Sequence, residues 1–244
     1  MSWESVLPLR ITSKVVRGFG RGASDLGIPT ANLCPDEAKL QSVSLSIPPE
    51  TNESMSPSST SQSKTTTATK GVSHFDDLPC GIYWGFCRIG DNTYNSDKND
   101  NNKNKNPLGD TYTTAVSIGY NPTYGNAHKT VEPHLIAPAS DPRRHSSSTG
   151  ETLLQDFYDQ PVRLSVLGYL RPELPFEGLE KLIQAIKQDI LQAEALAQQD
   201  TIINVRERAW VTSNQPLNGN IHDKSKLNHN QTNGDHTHNN SDPN

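Results

Sequence analysis

The sequence is short of apolar and aromatic side chains. Of its 244 residues, 32% are hydrophobic and 6% aromatic, and the mean hydropathy is −0.69. A chain this polar does not pack from end to end, so part of it is expected to be unstructured. It also lacks a basic excess: 22 Lys and Arg stand against 27 Asp and Glu, for a formal charge of −5. No nucleic-acid partner is expected, because such a partner asks for a basic face. No apolar run approaches the ~18 residues that mark a membrane-spanning helix. The opening residues, Met1 to Arg10, have neither a basic stretch nor a long apolar one. No secretory signal is read there, and cytoplasmic placement is expected, with peripheral attachment to an organelle left open. Cysteine is scarce. Cys34, Cys80 and Cys87 are odd in number and lack metal-ligand spacing, so reduced thiols of an intracellular protein are expected.

The polarity is concentrated in four segments, 41–73, 92–110, 138–150 and 213–244. Together they hold 97 residues, of which 12 are apolar; the other 147 hold 66, about 45%, which is ordinary globular composition. The first segment carries 16 Ser or Thr, the second 7 Asn, and the last 9 Asn with His222, His229, His236 and His238. None buries enough surface to offset chain entropy. The expected organisation is one domain over 1–212 with three disordered insertions, followed by a disordered Asn/His-rich tail over 213–244. The tail is read as solvated, with weak metal binding as its alternative.

Between these segments, several stretches alternate at period two and predict strands. The first ends at Val15-Val16. In Gly81 to Ile89, Ile82, Trp84 and Phe86 share a face; in Thr114 to Ile118, Thr114, Val116 and Ile118 do. In Thr130 to Ile136, Val131 and Leu135 share one face and Glu132 and His134 the other; Val162, Leu164 and Val166 line up in the last strand. A helix follows, with Leu179, Leu182, Ile183, Ile186, Ile190 and Ala193 as its apolar stripe and Glu180, Lys181, Lys187 and Asp189 on its polar face. Strands close in sequence with one late helix predict a mainly β fold, an antiparallel barrel with a C-terminal α-helix.

Three places carry candidate chemistry. Gly18, Gly20, Gly22 and Gly27 crowd into 17–27, where free N–H groups could cradle phosphate or simply form a turn. No Gly-Lys-Ser/Thr follows, so this is not a Walker loop. Pro29-Thr-Ala-Asn32 puts Thr30 and Asn32 two apart, on one side of an extended chain. They are either a side-chain-closed turn or a pair of hard oxygen donors for a small cation such as Mg²⁺. Glu132, mid-strand between apolar neighbours, is either a salt-bridged strand residue or a general base with a raised pKa. His134 shares its face. Arg171 is either a surface cation or a clamp for a phosphate or planar polar ligand.

Val15-Val-Arg-Gly-Phe-Gly-Arg-Gly22, Leu26-Gly-Ile-Pro-Thr-Ala-Asn32, Gly81-Ile-Tyr83, Ser117-Ile-Gly-Tyr-Asn-Pro-Thr-Tyr124, Thr130-Val-Glu132, Asp156-Phe-Tyr158 and Gly168-Tyr-Leu-Arg-Pro-Glu173 closely resemble, in order, segments of the eukaryotic monofunctional riboflavin kinases. The resemblance spans about residues 10–200 and skips the three insertions. It implies a six-stranded antiparallel β-barrel with a C-terminal helix. It also implies transfer of the ATP γ-phosphate to riboflavin, giving FMN and ADP, with Mg²⁺, or Zn²⁺ or Mn²⁺ in its place; a monomer is expected. By position, Glu132 resembles the catalytic base, and Thr30 and Asn32 the residues that hold metal and ATP. Gly18, Gly20, Gly22 and Ser24 resemble the flap over the nucleotide. Leu135, Ala137 and Tyr158 fall where the family contacts adenine nucleotide; Leu164, Arg171, Leu174 and Phe176 fall where it contacts flavin. Three departures stand out. Ala23-Ser24 replaces a common Ser-Lys, Pro133 follows the acid and predicts an edge or bulge there, and Ala137 replaces a second His. They leave a catalytically weakened flavin- or nucleotide-binding module as the alternative function.

Overall fold

The computed structural model describes residues 6–18, 29–43, 72–91, 108–120, 128–141, 144, 153–154 and 157–217. Seven strands form in chain order: β1 (Leu9–Val16), β2 (Asn32–Leu33), β3 (Lys39–Ser42), β4 (Gly81–Ile89), β5 (Thr111–Gly119), β6 (Thr130–Ile136) and β7 (Pro161–Arg171). They are hydrogen-bonded in the order β2-β1-β7-β4-β5-β6, with β3 beside β2 on the same edge of β1. Every pairing is antiparallel. The path nearly closes on itself, because Thr30, just before β2, bridges to His134 on β6. The result is the mainly β, six-stranded antiparallel barrel that the alternating segments and the resemblance predict.

The alternation explains what fills it. Leu9 and Ile11 of β1 face Val166 and Leu164 of β7 across the ladder, and all four are buried in one apolar cluster with Val116, Ile118, Val131 and Leu135. In β4 both faces are buried. Tyr83, Cys87 and Ile89 point into the barrel, while Trp84 and Phe86, the face that period two singles out, lie outside it beneath the helices. Cys34, Cys80 and Cys87 are free thiols, and burial pushes the Cys87 thiol far up, leaving it uncharged and inert.

Helix α1 (Leu179–Ala197) lies over β5 and β4. Ile190, Ala193 and Ala197 are its buried residues with Asp189, and Ile186 packs beside them, whereas Leu179 is 64% exposed, so the stripe is fully buried only in its later half. A second helix, α2 (Ile202–Thr212), follows and was not legible in the sequence. Its reason is plain: Ile202 and Val205 face solvent, and the buried face carries Asn204 and Glu207 beside Trp210 and Val211. Counting apolar residues at helical spacing therefore finds no stripe. Thr201 caps α2, its hydroxyl accepting from the Asn204 N–H at 3.1 Å.

Polar contacts carry α2 onto the barrel. Arg10 on β1 grips the Glu207 carboxylate through Nε at 2.8 Å and Nη2 at 3.1 Å. Ser165 on β7 donates to the same carboxylate at 2.9 Å. Arg88 on β4 donates to the Thr212 and Ser213 carbonyls and to Asn214, meeting the unpaired carbonyl end of the helix. Arg163 donates to the Trp210 carbonyl at 3.1 Å and lies over its ring at 4.1 Å.

Most of the segments expected to be disordered fall outside the described residues. Their described ends take part in the fold: Gln41 and Ser42 in β3, Arg144 in a paired contact with Glu194, and Leu217 against the cluster beneath the helices. No helix among the described residues is long and apolar enough to cross a membrane.

Candidate active site

Strand β6 sets the site. Val131 and Leu135 are committed to the barrel interior, so Glu132 and His134 must point outward. Glu132 lies opposite Ser117 and His134 opposite Ala115 on β5. The Thr130 hydroxyl donates to Glu132 Oε1 at 3.0 Å. Burial pushes the Glu132 carboxyl above the usual carboxylate range; the Thr130 bond pulls against it, and the charge of Glu173 adds to the rise. Glu173, two residues beyond β7, accepts from Ser117 Oγ at 3.3 Å. Its carboxylate lies flat on Gly119, where any Cβ would run into it. Burial raises its pKa as well. Two carboxyls thus share one patch of the outer face, with Ser117 between them.

The Pro29–Asn32 segment runs beside β6. Ala31 N–H donates to Pro133 O at 3.0 Å, and Leu135 N–H donates to Pro29 O at 2.8 Å. Each bonded pair lacks its second bond, because the residue that would supply it, Pro133 or Pro29, has no N–H. The β5 pairing runs from Thr113 to Gly119 without a register shift. Pro133 therefore sits on the outer strand of the path, as expected, but produces no bulge.

Between the two segments, Thr30 Oγ1 and His134 Nδ1 are 2.8 Å apart. Close packing pulls the His134 pKa down to about 4 although the ring keeps some solvent contact, so the imidazole is neutral at pH 7. Thr30 and Glu132 consequently meet the same face, about 6.7 Å apart along the strand as two residues of extended chain. Asn32 follows two residues on and packs against Gly18, where a Cβ would collide with its amide. Gly18 is glycine because the chain must approach that amide closely.

The remaining predicted residues divide. Arg17, next to Gly18, stacks on the Tyr158 ring at 4.6 Å, which places Tyr158 at the root of the glycine segment. Arg171 makes a two-point contact with Asp189 of α1 at 2.7 and 2.6 Å and lies over Phe176 at 5.6 Å. It thereby anchors the segment that carries Glu173, Leu174 and Phe176; Leu174 is 54% exposed. Asp189 departs from the polar face that helical counting gives it: it is 4% exposed, and Arg171 is the reason. Leu135, Ala137 and Leu164 are not brought to this surface. Their side chains are packed in the barrel core. Gly20, Gly22 and Ser24 lie outside the described residues.

Ser117, Glu173 and His134 complete the patch without having been singled out for roles. Glu173 had a signal, since it closes the Gly168-to-Glu173 motif, but nothing in the sequence says that this motif returns to β5.

A flavokinase family model, described as riboflavin kinase, matches residues 6–197. Riboflavin kinase of Aspergillus fumigatus is 31% identical over 193 residues, covering 76% of this chain and 74% of that one. Riboflavin kinase of Homo sapiens is 29% identical over 215 residues, covering 87% and 97%. The crystal structure of riboflavin kinase from Trypanosoma brucei aligns with a TM-score of 0.39 and 18% identity, covering 79% of this chain and 78% of that one. The family model and the sequence relatives place the chain among kinases that act on a small molecule. It belongs to the riboflavin kinase family.

Proposed function

We propose that the chain transfers the γ-phosphoryl group of ATP to the 5′-hydroxyl of riboflavin, with Glu132 as general base and a Mg²⁺ ion held at Thr30 and Asn32. The observation that carries this reading is the common face of β6, where Glu132 stands two residues from the Thr30–His134 pair. Phosphoryl transfer asks for positioning and charge neutralisation more than for covalent chemistry; this face would supply the positioning and the cation the neutralising charge.

The donor set suits Mg²⁺. Thr30 and Asn32 offer a hydroxyl and an amide carbonyl, both hard oxygens, and Mg²⁺ usually adds phosphate oxygens and water to such ligands. In the tautomer with its proton on Nε2, His134 Nδ1 would accept from the Thr30 hydroxyl, which would turn the Oγ1 lone pairs towards the cation. An ion held by Thr30 and Asn32 would supply neutralisation of the phosphate charge. Gly18 keeps the backbone close to Asn32, and Tyr158 with Arg17 stands on the nucleotide side. On the other side, Leu174 and Phe176 offer apolar surface to the flavin, on a segment held by Arg171. Glu132 accepts the proton of the attacking hydroxyl, and its raised pKa brings it closer to the pH at which it works.

Incubation with ATP, Mg²⁺ and riboflavin should yield FMN and ADP, with little product when Mg²⁺ is omitted in parallel. Absence of FMN would overturn the proposal and favour the catalytically weakened binder. The pH profile gives a second expectation. Because Glu132 must be ionised to act, kcat/KM should fall towards acid pH, with its midpoint above that of an ordinary glutamate. Glu173→Gln removes a neighbouring negative charge, so the acid limb should move to lower pH. A limb that stays in place, measured with matched buffers, would separate Glu173 from the titration.

A further inference from the structure

Away from the β6 face, His74, Asp76 and His128 bring three ligand atoms within 4.8 Å of one another. Asp76 Oδ2 lies 3.0 Å from His74 Nδ1 and 3.0 Å from His128 Nδ1. His74 caps a short 3₁₀ turn (Phe75–Asp77), where its Nδ1 accepts from the Asp76 N–H at 3.3 Å. That nitrogen therefore carries a lone pair and no proton, 3.0 Å from a carboxylate oxygen; a cation between these two acceptors would take the lone pair over from the Asp76 N–H. A proton serves one such pair; a metal cation serves all three atoms.

We propose that His74, Asp76 and His128 form a zinc site, with water as fourth ligand, that clips the 72–78 segment to the start of β6. Two imidazoles and one carboxylate suit Zn²⁺ far better than Mg²⁺, which prefers oxygen alone. Ligands of a tetrahedral Zn²⁺ at about 2.0–2.1 Å stand roughly 3.3–3.4 Å apart, so the 3.0 Å separations need only a small adjustment. The second shell is in place. Asp76 Oδ1 accepts from the Lys129 N–H at 2.9 Å, which fixes the carboxylate so that Oδ2 is the ligand oxygen. The turn itself is fixed by Asp77, which accepts from the His74 and Ser73 N–H groups at 3.0 and 2.9 Å. Among the described residues, the Lys129 ammonium is a nearby charge that opposes a cation. It is directed to the carbonyls of Asp76 and Leu78, and it lowers affinity without occupying the ligand atoms. The site is distinct from Thr30 and Asn32 in donor chemistry as well as place, and needs no nucleotide.

Calorimetric titration of the full chain with ZnCl₂, without nucleotide, tests it. One equivalent should bind at this site, and zinc at about 100 times Kd should raise Tm by roughly 5–10 °C. His128→Ala and Asp76→Asn should each weaken that equivalent on the order of 100-fold or more and remove the Tm shift. His128 is largely exposed, so its variant should fold, as a zinc-free melt will show. The tail histidines are the necessary control. Replacing His222, His229, His236 and His238 with Gln should leave the equivalent and its Tm shift in place. Loss with the tail variant but not with His128→Ala, or no binding at all, would overturn the proposal.

Discussion

Glu132→Gln should lower kcat for FMN formation by ~10²–10⁴-fold, the usual range for removal of a general base. The substitution keeps size, polarity and the hydrogen bond from Thr130, so folding should be unaffected. It removes only the ability to accept a proton from the hydroxyl as the new P–O bond forms. KM for ATP should change little, because Thr30 bonds to His134 and Asn32 packs against Gly18, contacts that the substitution leaves in place. Single-turnover rates with saturating ATP, Mg²⁺ and riboflavin are the measurement to make. A variant within a factor of three of wild type would assign the proton to another group, and Glu173, on the far side of Ser117, would be the next to replace.

Glu207→Ala should cost about 3–5 kcal/mol of stability, lowering Tm by on the order of 10 °C. Glu207 is fully buried and meets Arg10, Arg206 and Ser165 at once. The truncation leaves the Arg10 guanidinium, with a side chain only 6% exposed, stripped of its counter-charge. Glu180→Ala, on the exposed start of α1, should change stability by less than about 0.5 kcal/mol and serves as the control. Urea melts of both variants decide the matter. A Glu207 variant as stable as the control would mean that the apolar contacts of Trp210 and Val211 hold α2 unaided.

What the sequence revealed of the site followed from how local each signal was. Thr30 with Asn32, and Glu132 with His134, are pairs two residues apart. Extended backbone turns such pairs to one side wherever it occurs, so their shared face was legible. The contact between the two pairs was not, since 104 residues separate Thr30 from His134. Strand periodicity located β4, yet it picked the face that lies under the helices, because both faces are apolar. Asp189 and α2 were misjudged or missed for one shared reason. Each is buried through arginine, and hydrophobic counting scores a buried ion pair as surface. Leu135, Ala137 and Leu164 show the converse: a position aligned with a ligand contact can still send its side chain into the core.

The docking of α2 also constrains the order in which the molecule can be finished during synthesis. Arg10, Arg88 and Arg163 come from strands made early, midway and late, yet all three find their partners beyond residue 200. A nascent chain that has emerged only as far as β7 can close its staves, but it gathers three guanidinium groups on one outer wall before Glu207 and the end of α2 have arrived, with Asp91 an acid that acts on Arg88 and Arg163. Like charges gathered there oppose tight pairing of β1, β7 and β4 until Glu207 and the end of α2 arrive. The late helix thus acts as a fastener, and the emergence of α2 is the step that lets the barrel lock.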